Sequence, residues 1–551
     1  MSLKILNTLF ELNMQPLKTS LAFAITLTAI TPLAAKARST QKPNVIFIFS
    51  DQHNANTFGF QGHADVKTPN LDAMAKGGVV FNRAYCQNAI SAPSRMSLFT
   101  GLYPRTIGAM DNAPLTTKAV KEVVSLQAAF QANGYATYAF GKRHLDEGAD
   151  KGWTLHQSHI AKESPEKNYI KWIEEQGYAD AFGEDWAAEF GKYPPGNSKE
   201  NTPFPTAKMG TRTTRLPENR TMEAYSTQLT LDVIRNHKKS GEPFFCFTSY
   251  YRPHQPYNPL PKYLAMYDVT KCGKGTLLHD GLKTPESLRQ PANELPPMLA
   301  DLRKSKNGIW CLGLAAEDEQ LYRDYIGAYY ALVTEIDALI GEIFTELEKT
   351  GMAENTIVVY SSDHGDFVGA HGMIEKAAMG HNVYEETLQV PMLFYWKGKF
   401  PAGYKNNDLV GLIDIYPTLM DLAGIKRPAS NYPLQGISLA KTITKKIPTK
   451  RKYIVSENWS QASIITKDYK LGIMLDPTIA ADKRDYRSFG DMLFERKLDP
   501  IEVKNQINAA TLAPEVKKLR TYYAEFEKNI SGEGRLEMIK NAKTGKQPMR
   551  K

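Results

Sequence analysis

Cysteine is scarce in this chain, which carries only four in 551 residues: Cys86, Cys246, Cys272 and Cys311. Their spacing matches no metal-binding or redox motif, so no cysteine-ligated metal site is expected. Cys246 lies in an apolar strand pattern and is expected to be buried. Cys272 and Cys311 either stay free or pair in an oxidising compartment, and the sequence leaves both options open.

Long apolar runs are scarce as well. The one near the N-terminus, from Leu21 through Leu33, is short for a helix that spans a bilayer. Lys18 precedes this run and the small-residue site Ala35-Lys36-Ala37 follows it, as in a secretion signal. We therefore predict that residues 1–37 are a signal peptide, that no membrane span remains, and that the mature protein is periplasmic or secreted. A membrane anchor is the alternative, but no cysteine follows the run closely enough to accept a lipid.

Internal repeats and an extreme composition are absent too. Hydrophobic residues make up 42% of the chain and charged residues 23%, which is typical of a folded protein. The length predicts two domains. The formal net charge is +9, and +7 once residues 1–37 are removed, a surplus that suits an acidic substrate.

Four short apolar runs, rich in β-branched and aromatic residues, are typical of buried parallel strands: 45–49, 136–140, 244–248 and 356–360. Polar residues follow each run at once, and in chain order they are Asp51 and Gln52, Lys142 and His144, Arg252 and His254, and Asp363, His364 and Asp366. Open α/β sheets bind ligands beyond the carboxyl ends of their strands. We therefore expect these four clusters to converge on one site.

Helical patterns separate these strands, and the clearest is an apolar stripe between Tyr325 and Leu347 at spacings of three and four. The alternation predicts an α/β fold with a large doubly wound, mostly parallel sheet flanked by helices. From about Arg451 the pattern changes to short strands, at 453–455, 463–465, 469–471 and 492–494, and then to a helix over about 514–528. This change predicts a smaller C-terminal α+β subdomain built on an antiparallel sheet. The predicted bounds are 43–430 for the N-terminal domain, 431–535 for the subdomain and 536–551 for a basic, unstructured tail.

Asp51 and Asp363, each at a strand end, are natural ligands for a hard divalent cation such as Ca²⁺. Gln52 can add a carbonyl oxygen. His364 suits calcium less well, because calcium prefers oxygen, so it either touches the metal weakly or bonds the substrate. The structural alternative is a turn, since Asp-His-Gly is a common turn composition.

Ser91 begins a segment that is suited to an anionic substrate. Pro93 is favourable in the first turn of a helix, because a proline has no N–H to leave unsatisfied there. Helix N-termini present free N–H groups and a positive dipole end. An unmodified serine is a weak nucleophile without a partner base. A solvent-exposed turn is the alternative for this segment.

Basic and proton-exchanging side chains complete the set. Lys142, Lys376 and Arg95 can hold an oxyanion, while His144 and His254 can exchange protons near neutral pH. In an extended segment Lys142 and His144 would face the same side.

Ordered motifs along the chain resemble those of the type I, formylglycine-dependent sulfatases of the alkaline phosphatase superfamily, in their serine form. The modification signature of that family, C/S-x-P-S-R-x-x-L-x-T-G, matches the segment from Ser91 to Gly101. Further matches are Asp51, Gly141-Lys142-Arg143-His144, Pro253-His254-Gln255-Pro256, Asp363-His364-Gly365-Asp366, Lys376, Tyr384-Glu385-Glu386 and Asp499-Pro500. The resemblance spans roughly residues 44–505 and makes the N-terminal domain the catalytic sulfatase domain.

The resemblance implies a role for each matched residue. Ser91 becomes formylglycine, whose hydrate is bound to Ca²⁺ and held by Arg95 while one hydroxyl attacks sulfur. His254 protonates the leaving oxygen, assisted by Lys376, and His144 takes the proton of the second hydroxyl while Lys142 stabilises charge. The metal ligands are then Asp51, Gln52, Ser91, Asp363 and His364. A serine at the modified position implies a bacterial host with an anaerobic sulfatase-maturating enzyme.

Substrate identity is less defined by the sequence. Export, positive charge and a basic rim of Arg143 and Arg252 favour a sulfated saccharide from a glycosaminoglycan, a mucin or an algal glycan. Candidate sugar contacts are Asp111, Asn112, Trp459 and Arg487. Gln52 replaces the second aspartate of most family members, and phosphonate monoester hydrolases share this Asp-Gln pair. Hydrolysis of a phosphonate or phosphate diester is therefore an alternative, and so is a glycan-binding pseudoenzyme whose serine stays unmodified.

Overall fold

Eight strands form one mixed sheet through the centre of the protein, in the order β10-β2-β9-β7-β1-β6-β4-β5. They are β1 (Asn44–Asp51), β2 (Val79–Phe81), β4 (Ala136–Gly141), β5 (Leu155–Gln157), β6 (Phe244–Pro253), β7 (Thr356–Ser362), β9 (Met392–Tyr395) and β10 (Tyr404–Asn406). Only β9 runs antiparallel to its neighbours in this sheet, whereas β1 pairs in parallel with both β6 and β7. The predicted mostly parallel sheet is confirmed, and so are its four central strands.

The computed structural model describes residues 41–146, 148–159, 163–165, 167–190, 212–267, 282–295, 300, 319–376, 383–475 and 490–544. The predicted signal peptide lies outside these residues, as do Cys272, Cys311 and Arg487. Within them, no helix is long and apolar enough to cross a membrane. Cys246 is fully buried, as predicted.

Helices cover both faces of the central sheet. In chain order the helices are α1 (Pro69–Gly77), α2 (Ser91–Thr100), α3 (Pro104–Ile107), α4 (Lys118–Glu122), α5 (Leu126–Ala132), α6 (Tyr169–Glu175), α7 (Ala179–Phe190), α8 (Met222–Ser240), α9 (Pro261–Leu264), α10 (Glu319–Thr350), α11 (Glu385–Leu388), α12 (Ile415–Ala423), α13 (Ala440–Lys445), α14 (Ala513–Asn529) and α15 (Glu533–Lys543). Successive residues of β1 point to opposite faces of the sheet. Ile46 and Ile48 pack with Ile336 and Ile340 of α10, while Val45, Phe47 and Phe49 join the opposite core.

Two smaller sheets complete the fold. One contains β3 (Ala84–Tyr85), β8 (Gln389–Val390) and β11 (Val410–Gly411). The other is the predicted antiparallel C-terminal sheet, with β12 (Ile454–Glu457), β13 (Gln461–Ile465), β14 (Tyr469–Met474) and β15 (Met492–Glu495). Leu519 and Phe526 of α14 pack on this sheet against Ile464 and Leu471. Because contacts join the chain from Lys42 onward into one compact unit, the boundary at residue 430 remains a prediction.

The prediction of an unstructured tail from residue 536 is wrong as far as residue 543, because these residues belong to α15. Met538 is buried in a small cluster with Met110 and Trp459. In addition, the Arg535 guanidinium donates a hydrogen bond of 3.1 Å to the Trp459 carbonyl. These partners lie far away in the sequence, and the segment itself is basic and polar, so no local signal in the sequence indicates that it packs on the fold.

Replacing Met538 with alanine should lower the free energy of unfolding by about 2–5 kcal/mol, because it leaves a cavity in that cluster. Leu536→Ala is the matched control, since Leu536 lies on the same helix and is 64% exposed. Chemical denaturation of both variants checks the prediction. Equal stabilities would mean that α15 does not depend on this contact.

Candidate active site

The polar clusters after the four central strands meet at one edge of the sheet. Asp51 ends β1, Lys142 follows β4, His254 follows β6 and Asp363 follows β7. All four are buried, with at most 8% exposure. The predicted convergence is confirmed, because these strands are parallel neighbours and their carboxyl ends coincide.

Ser91 is the first residue of α2, so its side chain lies at a helix N-terminus. Its Oγ is 3.1 Å from Nε2 of His364, and Nδ1 of His364 is 2.9 Å from the Gly365 carbonyl. Because a carbonyl can only accept, Nδ1 carries the proton and Nε2 accepts from the serine hydroxyl. Asn112 supports the same helix end, because its Oδ1 accepts a hydrogen bond of 3.1 Å from the Ala92 N–H. The solvent-exposed turn is excluded, since Ser91 is 3% exposed.

Arg95, one turn further along α2, links the two carboxylates. Its Nε donates to Asp363 Oδ2 at 2.9 Å and its Nη2 to Asp51 Oδ2 at 3.3 Å. Its Nη1 donates to the Lys142 carbonyl at 2.7 Å and to Ser249 Oγ at 3.0 Å. The guanidinium is fully buried, so it fixes the relative positions of α2, β1, β6 and β7.

Three side chains form a group that could hold a metal ion: ligand atoms of Asp51, Asp363 and His364 all lie within 4.8 Å of one another. One carboxylate oxygen of Asp51, Oδ1, is buried and has no hydrogen-bond partner among the described residues. Burial alone would raise the pKa of Asp51, but Lys142, His254 and Arg95 hold that pKa well below its ordinary value. An ionised, unpartnered oxygen beside a second carboxylate is a donor set that fits Ca²⁺.

Gln52 lies next to this group in a left-handed backbone conformation, with φ of 66°. Its Oε1 accepts from Lys376 Nζ at 2.9 Å, and its Nε2 donates to Asp366 Oδ2 at 2.8 Å. The amide therefore connects Lys376 to the site. Its predicted role as a metal ligand stays a prediction.

Adding Ca²⁺ to metal-stripped protein should raise the free energy of unfolding by about 2.7 kcal/mol at one hundred times the dissociation constant. Asp51→Asn should remove most of this increment, because it deletes the negative charge next to the open ligand position. Asp408→Asn, a substitution at a buried aspartate elsewhere, should keep it. Thermal unfolding with and without Ca²⁺ measures the increment itself, and an undiminished increment in Asp51→Asn would contradict the assignment.

Two histidines occupy the positions predicted for proton transfer. Burial, with Lys142, lowers the pKa of His144 to about 3, and burial lowers the pKa of His254 well below its ordinary value. Both imidazoles are therefore neutral at pH 7 in the free protein. The segment from Lys142 to His144 is not extended as expected, because His144 has φ of 53° and its N–H donates to Glu163 Oε1 at 3.0 Å.

Several predicted contacts are corrected by burial. Arg143 is 1% exposed and bonded to Asp150, while Arg252 is 4% exposed and paired with Glu223 and Glu335, so neither forms a basic rim. Trp459, predicted as a sugar contact, is 1% exposed, and its Nε1 donates to Asp111 Oδ2 at 3.0 Å. These side chains stabilise the fold instead of lining a surface.

Sequence reasoning missed three residues beside the site. Tyr251 packs against His254, with ring centroids 4.9 Å apart and ring planes tilted by 51°. Its place three residues before that histidine was the available sequence signal. Glu163 accepts hydrogen bonds from the N–H groups of Arg143 and His144, which shapes the loop after β4. His159 packs on Tyr251. No motif surrounds Glu163 or His159, so their positions emerge only from the fold.

Comparison with known proteins agrees with this geometry. The family described as Sulfatase matches residues 43–425, and the family described as N-sulphoglucosamine sulphohydrolase, C-terminal, matches residues 369–529. An N-acetylglucosamine-6-O-sulfatase of Bacteroides thetaiotaomicron is 25% identical over 565 residues, covering 91% of this chain and 90% of the relative.

Two solved structures share the fold. A phosphonate monoester hydrolase of Agrobacterium radiobacter has a TM-score of 0.66 at 22% identity, over 89% of this chain and 96% of that one. A structure in complex with its substrate D-glucosamine-2-N,6-O-disulfate has a TM-score of 0.66 at 21% identity, over 88% of this chain and 98% of that one.

Proposed function

Because the chain belongs to the sulfatase family of sulfuric ester hydrolases, we propose that it removes sulfate esters from a sulfated saccharide. A glycosaminoglycan fragment is the favoured class, with mucin and algal glycan fragments as the wider set. The observation that carries the proposal is the position of Ser91 at the N-terminus of α2, in hydrogen-bond contact with His364. His364 belongs, with Asp51 and Asp363, to the group of side chains that could hold a metal ion. The relative that acts on N-acetylglucosamine 6-O-sulfate supports the saccharide, since it aligns with 91% of the chain.

Residue 91 is the proposed nucleophile. An anaerobic sulfatase-maturating enzyme would oxidise Ser91 to formylglycine, removing two hydrogens from the serine side chain, and hydration of the aldehyde gives two hydroxyls. One hydroxyl attacks sulfur and gives up its proton to solvent, forming an S–O bond while the S–O bond to the saccharide breaks. Arg95 lies on the same helix and is hydrogen-bonded to both aspartates, so it fixes the position of residue 91 relative to Asp51 and Asp363.

His254 donates the proton that the departing saccharide oxygen needs. Lys376, held by Gln52 and 2% exposed, contributes a positive charge for the sulfate group. The sulfate group is itself negative, so its binding raises the pKa of His254 and favours the protonated imidazole in the complex.

His144 then accepts the proton of the second hydroxyl at residue 91. The carbon–oxygen bond to sulfate breaks, sulfate leaves and the aldehyde forms again. Lys142, paired with Asp51, stabilises negative charge during this step. The open nitrogen of His144 fits an acceptor, because its Nδ1 is buried without a hydrogen-bond partner among the described residues.

Calcium completes the proposal. Asp51, Asp363 and His364, with Gln52 and residue 91, would hold Ca²⁺, which supplies positive charge beside the nucleophile and the sulfate oxygens. Export to the periplasm or the medium is part of the same proposal, and the support for it is the signal-like sequence of residues 1–37.

Phosphonate or phosphate diester hydrolysis is the second candidate. Asp51-Gln52 is the observation that favours it, and a phosphonate monoester hydrolase has the same fold. A glycan-binding pseudoenzyme is the third, but a binding protein needs neither His144 nor His254.

A substrate panel separates the three candidates. Mature protein is offered N-acetylglucosamine 6-sulfate, other monosulfated hexosamines and uronic acids, 4-methylumbelliferyl sulfate, and 4-nitrophenyl phenylphosphonate, and kcat/KM is measured for each. A preference for a sulfated saccharide supports the proposal, and a preference for the phosphonate supports the second candidate. Binding without turnover, by protein with an unmodified Ser91, supports the pseudoenzyme.

A further inference from the structure

A third histidine, His159, lies beside the proposed proton donor without a role in the chemistry above. It follows β5 and is 6% exposed. Its Nδ1 is buried and has no hydrogen-bond partner among the residues that the structure describes. Buried polar atoms are nearly always hydrogen-bonded, so this ring nitrogen has the capacity for one further hydrogen bond.

Tyr251 connects His159 to the site. The His159 and Tyr251 rings have centroids 4.9 Å apart, and the same distance separates the Tyr251 and His254 rings. The Lys142 ammonium lies 5.1 Å from the centroid of that tyrosine ring. Both histidines therefore contact one aromatic ring, which itself is only partly buried. Because His254 serves the departing oxygen, His159 lies on the side of the leaving group.

The charged groups around His159 decide what it can bind. Burial lowers the pKa of His159 to about 4, Glu163 and Asp51 act to raise this pKa, and Lys142 and Arg95 act to lower it. The imidazole is therefore neutral at pH 7, with one donor and one acceptor nitrogen. A neutral imidazole has no charge with which to hold a sulfate group, but it is a good partner for a hydroxyl, which also donates and accepts.

Glu163 does not provide that partner. Its carboxylate accepts hydrogen bonds from the Arg143 N–H, the His144 N–H and the Ser158 hydroxyl. It thus fixes the loop after β4 and the turn that carries His159. The open nitrogen, Nδ1, belongs to the imidazole ring that packs against Tyr251.

We propose that His159 contacts the substrate, hydrogen-bonding through its open ring nitrogen to a hydroxyl of the leaving saccharide while the sugar ring lies against Tyr251. Aromatic rings with a polar neighbour suit a sugar, because a pyranose has an apolar face and a rim of hydroxyls. The inference rests on the proposed function and narrows it, since it makes the leaving group a polyhydroxylated ring.

The test compares two kinds of leaving group. The His159→Ala variant is assayed on two substrates. The first is N-acetylglucosamine 6-sulfate, or the sulfated monosaccharide of the panel that the wild type hydrolyses fastest. The second is 4-methylumbelliferyl sulfate, whose leaving group offers no sugar hydroxyl. We expect kcat/KM for the saccharide to fall by about 10- to 100-fold and kcat/KM for the aryl sulfate to change by less than about threefold.

Two further variants serve as controls. His156→Ala removes a histidine of the neighbouring strand β5 whose Nδ1 is 2.9 Å from Ser164 Oγ, and it should leave the substrate ratio unchanged. His159→Gln keeps a donor and an acceptor, so it should recover part of the saccharide activity, and it replaces the alanine variant if that variant does not fold.

Each remaining outcome overturns a different claim. Equal losses on both substrates, or no loss on either, would overturn the inference and leave the proposed function intact. Aryl sulfate hydrolysis without turnover of any saccharide would overturn both the glycan assignment and this inference. If wild-type protein with formylglycine at residue 91 hydrolyses no sulfate ester, the proposed function itself fails.

Discussion

Replacing Ser91 with alanine should reduce kcat for sulfate ester hydrolysis by at least about 10⁴-fold, because a nucleophile that acts together with its partners accounts for most of the chemical rate. An alanine at the N-terminus of α2 has no side-chain oxygen to oxidise or to attack sulfur. The hydrogen bond to His364 is lost as well, yet the carboxylate pair and Arg95 remain. The measurement is kcat on 4-methylumbelliferyl sulfate with wild type and variant from the same maturating cells.

Ser97→Ala is the matched control for this experiment. Ser97 lies on the same helix, is fully buried, and donates to the Leu102 carbonyl at 2.6 Å. Loss of that bond should cost stability without costing turnover. Comparable losses in both variants would mean that α2 is disturbed, and would contradict a specific role for residue 91.

Mass spectrometry of the peptide that contains residue 91 gives an independent measurement. Active wild-type protein should carry this peptide about two mass units lighter than serine requires, since oxidation to the aldehyde removes two hydrogens. Active protein with an unmodified serine would contradict the modification. The Ser91–His364 pair, with 3.1 Å between Oγ and Nε2, would then be the nucleophile and its base.

The central sheet and the position of the site could be predicted because the relevant signals are local. β1 is an apolar run that ends in Asp51, and β7 is one that ends just before Asp363. Parallel strands in one sheet must bring their carboxyl ends to the same edge. The polar residues that directly follow these strands in the sequence therefore identify the main side chains of the site.

The sequence could not predict which charged residues are buried in ion pairs, because their partners are far away in the sequence. Arg252 pairs with Glu335, which is 83 residues away, and this pair converts an expected basic rim into a buried ion pair. Trp459 is buried by Met538, a contact between segments that show no local apolar pattern. Burying a charge is costly unless it is paired, and only the fold determines which arginines find a pair.

Loop residues escaped prediction for a related reason. The Glu163 carboxylate accepts hydrogen bonds from the backbone N–H groups of Arg143 and His144. Because nearly every residue type has a backbone N–H, such a contact requires no particular sequence motif. The same loop carries His159. Its proposed role depends on which ring nitrogen has no hydrogen-bond partner in the folded protein, and the spacing of residues in the sequence does not reveal this.

Replacing His254 with alanine should lower kcat for a saccharide sulfate by about 10²- to 10⁴-fold, the usual contribution of a general acid. The loss should be much smaller for 4-methylumbelliferyl sulfate, because a phenolate leaves without a proton. Kinetics on both substrates check the prediction. His237→Ala is the control, since His237 is buried on α8 and bonded to Tyr138 and the Glu242 carbonyl. Equal losses on both substrates would contradict the role of His254 as an acid.

The pH dependence follows from the same residue. An acid must be protonated to act, so wild-type activity on a saccharide sulfate falls as pH rises through the pKa of His254. Burial lowers that pKa in the free protein, and a bound sulfate raises it again. Because kcat/KM reports the free enzyme and kcat the complex, the falling limb of kcat/KM should lie at lower pH than that of kcat. His254→Ala should lose this limb in both profiles, and its persistence would assign the proton to another group.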